Sequence, residues 1–143
     1  MGEDVGAGSD DCDEDELFTS VGCEDPAETI QRATDEVHQE FQKDPQRYLD
    51  ELTDAERAAT EADPKFAQSN YGKAMERAVA EHPEVKPHFQ HVGGANNPDF
   101  LLTTRHGVSP YELATNSAGA FLGHVNRWYV EPLTYITYPS VPF

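Results

Sequence analysis

Two short runs in the last third of the chain, Pro98-Asp99-Phe100-Leu101-Leu102 and Tyr111-Glu112-Leu113-Ala114-Thr115, most constrain the fold. Each surrounds one carboxylate with apolar or β-branched residues, and Gly107 lies between them, so they read as neighbouring strands joined by a turn. Side chains alternate along a strand, so Glu112 points opposite to Tyr111 and Leu113. With those two against a covered face, Glu112 faces the other side, where a cleft can lie. Two carboxylates side by side on adjacent strands can hold a hard divalent cation such as Mg²⁺. A cation there can activate water and offset charge developing on a phosphodiester, which makes a metal-dependent nuclease the leading expectation.

The charge distribution argues partly against this. The 143 residues carry a net charge of −17, and residues 1–63 hold 21 of the 27 acidic residues against 4 Lys and Arg. From Pro64 to Phe143 there are 6 acids and 6 bases, and five of the six histidines. Phosphate binding relies on Lys and Arg, so an acidic chain is a poor general binder of nucleic acid. The excess lies in the N-terminal half, however, where it can solubilise or shield without joining a site. The length suits one small domain with a single core. Cys12 and Cys23 allow one disulfide and form no Cys-x-x-Cys pair, so a structural zinc site is not expected. The start, Met-Gly-Glu-Asp, has neither the basic nor the apolar segment of a signal peptide, and no stretch reaches membrane-spanning length. No membrane partner is expected, and any export depends on something outside this sequence.

Residues 1–24 form an acidic leader or linker with little to bury, expected to be disordered. Residues 25–63 read as helical. Ile30, Ala33, Val37 and Phe41 recur at helical spacing after an Asp25 N-cap and Pro26. A second helix spans Pro45 to Ala62, or else a new one begins at Thr53-Asp54-Ala55-Glu56 with a capping box. These charged, Ala-rich helices are expected to be peripheral. Residues 64–143 form the expected core. A helix runs from Pro64 to about His82, with Tyr71, Met75, Ala78 and Val79 on one face and Glu76 at its edge. A short extended segment, Lys86–Val92, precedes a Gly93-Gly94 turn and the two strands above. A helix over Ser117–Tyr129 and a strand over Leu133–Tyr138 follow. That last strand is apolar on both faces, as in a sheet between helices.

The order helix, strand, strand, strand, helix, strand resembles the restriction-endonuclease-like core of PD-(D/E)xK nucleases. The segments Tyr71–Val79, Pro98–Phe100, Tyr111–Thr115, His124–Tyr129 and Thr134–Tyr138 more specifically resemble the C-terminal toxin domains of bacterial polymorphic toxin systems, of Rhs and contact-dependent-inhibition type. The resemblance implies an α/β (α+β) fold with a mixed four-stranded sheet. It also implies a nuclease toxin carried as the C-terminal part of a secreted effector, acting on DNA or RNA in the cytoplasm of a competing cell. A cognate immunity protein would guard the producer. On the same resemblance, Asp99 takes the place of the PD aspartate, Glu112 that of the following acid, and Glu76 that of the acidic residue on the first core helix. Together they would bind Mg²⁺ or Mn²⁺. Ala114 stands where the pattern asks for lysine, so the supporting positive charge would come from Lys73, Lys86 or Arg105.

Each of these residues also has a plain structural reading. Asp99 after Pro98 suits a turn or cap, and Glu76 beside Arg77 suits a solvated helix face. His124, near Arg127 and Trp128, suits a half-buried packing position, and His106 an exposed turn. Two alternatives follow. One is a metal-independent RNase in which His106 and His124 act as an acid–base pair, with Arg105 and Arg127 contacting phosphate. The other is a non-enzymatic acidic binding protein, such as an immunity factor or nucleic-acid mimic.

Overall fold

The structure, a computed structural model, describes residues 12–13, 15–93, 97–104, 107–115 and 134–139. Among them lie four α-helices and two sheets, a mixed α and β architecture. The helix expected over Ser117–Tyr129 lies outside the described residues, as do Leu133, Gly94, Arg105, His106, His124 and Arg127.

The described residues begin with a hairpin, which corrects the expectation of disorder for its share, residues 17–24, of the 1–24 leader. Strand β1 (Leu17–Thr19) pairs antiparallel with β2 (Gly22–Glu24), and Gly22 supplies the turn with a φ of 100°. Composition alone offers this segment little to bury, but crosslinks take the place of a core. Cys12 and Cys23 form a disulfide. Glu24 receives the Arg32 guanidinium at 2.9 Å and the Thr29 hydroxyl at 2.8 Å, and Arg32 also reaches Glu84 at 2.7 Å. These bonds hold the Glu24 carboxyl below its ordinary range, the Arg32 hydrogen bond being the largest influence.

Helix α1 (Pro26–Lys43) starts as the sequence indicates: the Asp25 side chain accepts the Ala27 N–H at 2.8 Å, and Pro26 occupies the first turn. It is not peripheral. Ile30, Ala33 and Phe41 have no exposed surface and Val37 almost none. The charged residues that suggested a peripheral helix all fall outside this stripe, which packs on the strand Thr134–Tyr138 and on the helix Ala67–Ala80. Full burial of side chains of this size is worth about 1.5–3 kcal/mol each, so α1 is part of the core in energy as well as in place.

Helices α2 (Pro45–Asp50) and α3 (Asp54–Ala62) are separate, the second of the two readings above. The capping box decides it. Thr53 Oγ1 accepts the Glu56 N–H at 3.1 Å, and Glu56 Oε1 accepts the Thr53 N–H at 3.0 Å. A short 3₁₀ turn, Pro64–Phe66, leads into α4 (Ala67–Ala80). Tyr71, at its centre, is fully buried among Phe41, Tyr48 and Tyr138, with ring centroids 5.3–6.1 Å apart. Its hydroxyl meets the buried His38 Nδ1 at 2.5 Å.

Strands β3 (Phe89–His91), β4 (Phe100–Thr104), β5 (Gly107–Thr115) and β6 (Thr134–Tyr138) form one sheet in that spatial order. The first two pairings are antiparallel and β5–β6 is parallel. Register sets the faces. Phe100 pairs with Tyr111, His91 with Phe100, and Leu113 with Ile136, so these share a face with Phe89, Leu102 and Tyr138. Helices α1 and α4 cover that face. Tyr111–Thr115 are all buried, so Glu112, on the opposite face, sits in a covered environment rather than an open cleft. In β6, Ile136 and Tyr138 are buried while Thr134 and Thr137 are exposed. Within the described residues it is therefore covered mainly on one side. The Gln31 side chain shields part of its backbone by donating to the Thr137 carbonyl at 2.8 Å and accepting the Thr137 N–H at 3.3 Å.

Candidate functional site

Asp99, the residue before β4, is the meeting point: Glu76 reaches its side chain from α4, and Glu112, near the middle of β5, lies beside it on the other face of the sheet. Asp99 and Glu112 are interlocked. The Asp99 N–H donates to Glu112 Oε1 at 3.2 Å, and the Leu113 N–H donates to Asp99 Oδ2 at 2.8 Å. Each carboxylate thus accepts a backbone N–H next to or on the other, which fixes both side chains to the ladder. Glu76 approaches from the helix above and hydrogen-bonds the Asp99 side chain.

The electrostatic consequence falls on Asp99. Burial pushes its carboxyl up to about 8, and the negative charges of Glu76 and Glu112 add to the shift; only the Leu113 N–H opposes them. At neutral pH Asp99 is therefore largely protonated, with its O–H directed to Glu76 as a hydrogen-bond donor. Burial likewise raises the Tyr138 hydroxyl, and the negative charges of the same three acids push it further.

Two glycines make room for these groups. Gly93 has φ 67°, and a Cβ there would stand 2.8 Å from Glu76 Oε2 and 3.5 Å from His91 Nε2. A Cβ on Gly72, inside α4, would stand 2.9 Å from the Tyr138 hydroxyl oxygen. A glycine inside a helix costs about 1 kcal/mol relative to alanine, and here that cost admits the tyrosine. His91 completes the arrangement. Its Nε2 lies 2.6 Å from Glu76 Oε2, and its ring lies 5.2 Å from that of Phe100.

The basic residues named from the sequence lie elsewhere. Lys73 Nζ is 3.9 Å from Glu56 and Lys86 Nζ is 2.7 Å from Glu81. Arg77, next to Glu76, turns the other way and grips Glu56 with two nitrogens at 2.6 and 2.8 Å, with a third bond to the Glu51 carbonyl. That grip, aided by the Thr53 backbone, holds the Glu56 carboxyl down at about 2. Ala114, at the position of the motif lysine, is buried and carries no charge. Arg105 and His124 lie outside the described residues.

Sequence reasoning missed His91, Gly93, Gly72 and Tyr138 as members of this site. Gly72 did leave a signal, since a glycine inside an otherwise periodic helix marks a close approach. His91 left none, because its contact with Glu76 exists only once β3 lies beside α4.

Among the described residues no three His, Cys, Asp or Glu side chains are disposed as a ready-made metal cage. Mg²⁺ rarely uses one; it is usually held by one or two carboxylates, with waters and phosphate oxygens filling the remaining positions. The donors at Asp99 are hard carboxylate oxygens. The crowded negative charge that raises the Asp99 carboxyl is charge that a divalent cation would offset. The residues therefore fit a hard cation. Compared with protein-family models, curated proteins and solved structures, the chain finds no match in any of the three.

Proposed function

We propose that this chain is a metal-dependent nuclease with a restriction-endonuclease-like core, acting as a toxin domain on DNA or RNA in a competing bacterial cell. The placing of Glu76 and Glu112, from two other elements, on either side of the buried Asp99 carries the reading. The sheet agrees with it: three strands in antiparallel sequence, then a fourth parallel to the third, with Glu112 on one strand of the central pair and Asp99 just before the other. The toxin role and the cognate immunity partner rest on the sequence resemblance.

Asp99 and Glu112 would hold the ion, with Glu76 assisting from the helix. A bound Mg²⁺ or Mn²⁺ supplies an activated water and neutralises charge on the phosphodiester. Asp99 would have to be free of its proton to hold the ion. The two backbone N–H bonds keep Asp99 and Glu112 aimed. Tyr138 and the packed β5 backbone exclude bulk water from the inner side. Because Ala114 brings no charge, positive assistance at the reacting phosphate has to come from a residue outside β5.

Purified chain is assayed on plasmid DNA and total RNA in Mg²⁺ and in EDTA, beside Asp99→Ala and Glu112→Ala. Cleavage that requires Mg²⁺ and vanishes in both variants supports the proposal and names the substrate. RNA cleavage that survives EDTA and both variants points instead to His106 and His124. The net charge of −17 favours the remaining reading, an acidic binding protein, and folded chain that cleaves neither substrate supports it.

A further inference from the structure

Glu76 differs from the other two acids of the cluster. Asp99 and Glu112 are tied to the backbone of β4 and β5, whereas Glu76 stands on a helix with a flexible side chain and a quarter of its surface exposed. Its hydrogen bond to Asp99 depends on a proton that an ion bound at Asp99 would replace, so holding Glu76 then requires a second partner. His91 meets the requirement: its Nε2 lies 2.6 Å from Glu76 Oε2, and a carboxylate oxygen there accepts, so the proton sits on Nε2 and is donated. The imidazole is fixed in turn. It lies against the Phe100 ring at 5.2 Å and 31°, and His91 pairs with Phe100 in the β3–β4 ladder. The next turn of backbone is held close, with the Val92 N–H donating to the Asp99 carbonyl at 2.9 Å. Gly93 then passes close to Glu76, so that a Cβ there would stand 2.8 Å from Oε2 and displace the carboxylate. One short segment thus orients Glu76 through a hydrogen bond, confines it by backbone, and is itself tied to Asp99.

We propose that His91 is a positioning residue of the metal site, holding the Glu76 carboxylate for the cation without touching the cation itself. The inference rests on the metal-site reading above and adds to it a residue that the lysine motif does not contain. Groups of this kind behind a ligand typically change metal affinity by about 10–100-fold when removed.

The test is Mn²⁺ binding by the whole chain, followed by electron paramagnetic resonance of the free ion and requiring no cleavage. Four variants are compared with the unaltered protein. His91→Ala removes both the donor and the ring. His91→Phe keeps a ring against Phe100 and loses the donor. His91→Gln loses the ring and keeps an amide nitrogen close to the position of Nε2. Asp99→Ala is the control for the site. His91→Ala and His91→Phe are expected to weaken Mn²⁺ binding by about 10–100-fold, and His91→Gln to restore most of it. Binding by His91→Phe equal to the unaltered protein would overturn the inference, because packing alone would then account for His91. If Asp99→Ala abolishes binding while every His91 variant binds normally, the inference fails and the metal site stands. If Asp99→Ala binds Mn²⁺ as the unaltered protein does, or neither binds it, the metal-site reading fails as well.

Discussion

Replacing Asp99 with asparagine should make the metal-free protein more stable at neutral pH. The side chains are nearly the same shape. Asn can still accept the Leu113 N–H through its oxygen and donate to Glu76 through its nitrogen, so the interlocked geometry survives. What disappears is the cost of a carboxyl that is kept protonated in the fold and ionises freely in the unfolded chain. The sign follows from the shift. With the folded value raised from 3.8 to about 8, the contribution of Asp99 is fully present below about pH 4 and is lost progressively as pH rises towards 8. At 1.36 kcal/mol per unit, the loss by pH 7 has a ceiling of about 4 kcal/mol. Sharing of the proton with Glu76 and relaxation of the side chains reduce it, so about 2 kcal/mol is the working figure. With a urea dependence of about 2 kcal/mol per M, that is a difference of roughly 1 M in midpoint. Urea titrations of both proteins in EDTA at pH 5, 6, 7 and 8 read it directly. Other titrating groups are common to both proteins, so the difference between the two curves isolates Asp99. The difference should be small at pH 5 and grow steadily in favour of Asp99→Asn. Parallel curves across this range would refute the charge-crowding argument.

Three further perturbations probe the surroundings of the cluster. Gly93→Ala combines a left-handed φ with a 2.8 Å approach to Glu76; it should cost about 1–3 kcal/mol in thermal or urea unfolding and weaken Mn²⁺ binding. Gly72→Ala should destabilise the native protein despite the better helix propensity of alanine, because its Cβ meets the Tyr138 hydroxyl oxygen. In a Tyr138→Phe background the same change should become neutral or stabilising by up to about 1 kcal/mol, which a double-mutant cycle measures. Arg77→Ala should cost about 1–2 kcal/mol at pH 7 by releasing Glu56 from its two-nitrogen grip. Because Glu56 is held down at about 2 from 4.5, that contribution is present above pH 4.5 and lost as pH falls towards 2, so acid unfolding should converge for the two proteins.

Local pattern carried much of the architecture. The Asp25–Pro26 start, the Thr53–Glu56 capping box and the strands at Phe100–Thr104 and Thr134–Tyr138 all lie close to where spacing and turn residues put them, because each depends on neighbours within a few positions. Misjudged segments depend on distant partners. Counting charges over α1 hid a stripe from Ile30 to Phe41 that only β6 and Tyr71 make worth burying. The acidic hairpin looked too polar to order until Cys12–Cys23 and the Glu24–Arg32–Glu84 network were in place. For the candidate site, the sequence marked the three acids on three elements. It held no trace of His91 or of the part played by Tyr138, whose positions follow from strand register and from the seating of α4 on the sheet. The lysines it proposed are drawn off to Glu56 and Glu81, acids that belong to the surplus charge of the chain.

The most direct test of the central claim is to locate bound Mn²⁺ by anomalous diffraction, using crystals grown near pH 8 so that Asp99 can release its proton. The account predicts one ion within coordination distance of Asp99 and of at least one of Glu112 and Glu76, with the Asp99–Glu76 hydrogen bond broken and the His91–Glu76 hydrogen bond retained. An ion bound elsewhere on the acidic surface, with Asp99 and Glu76 still hydrogen-bonded to each other, would contradict it.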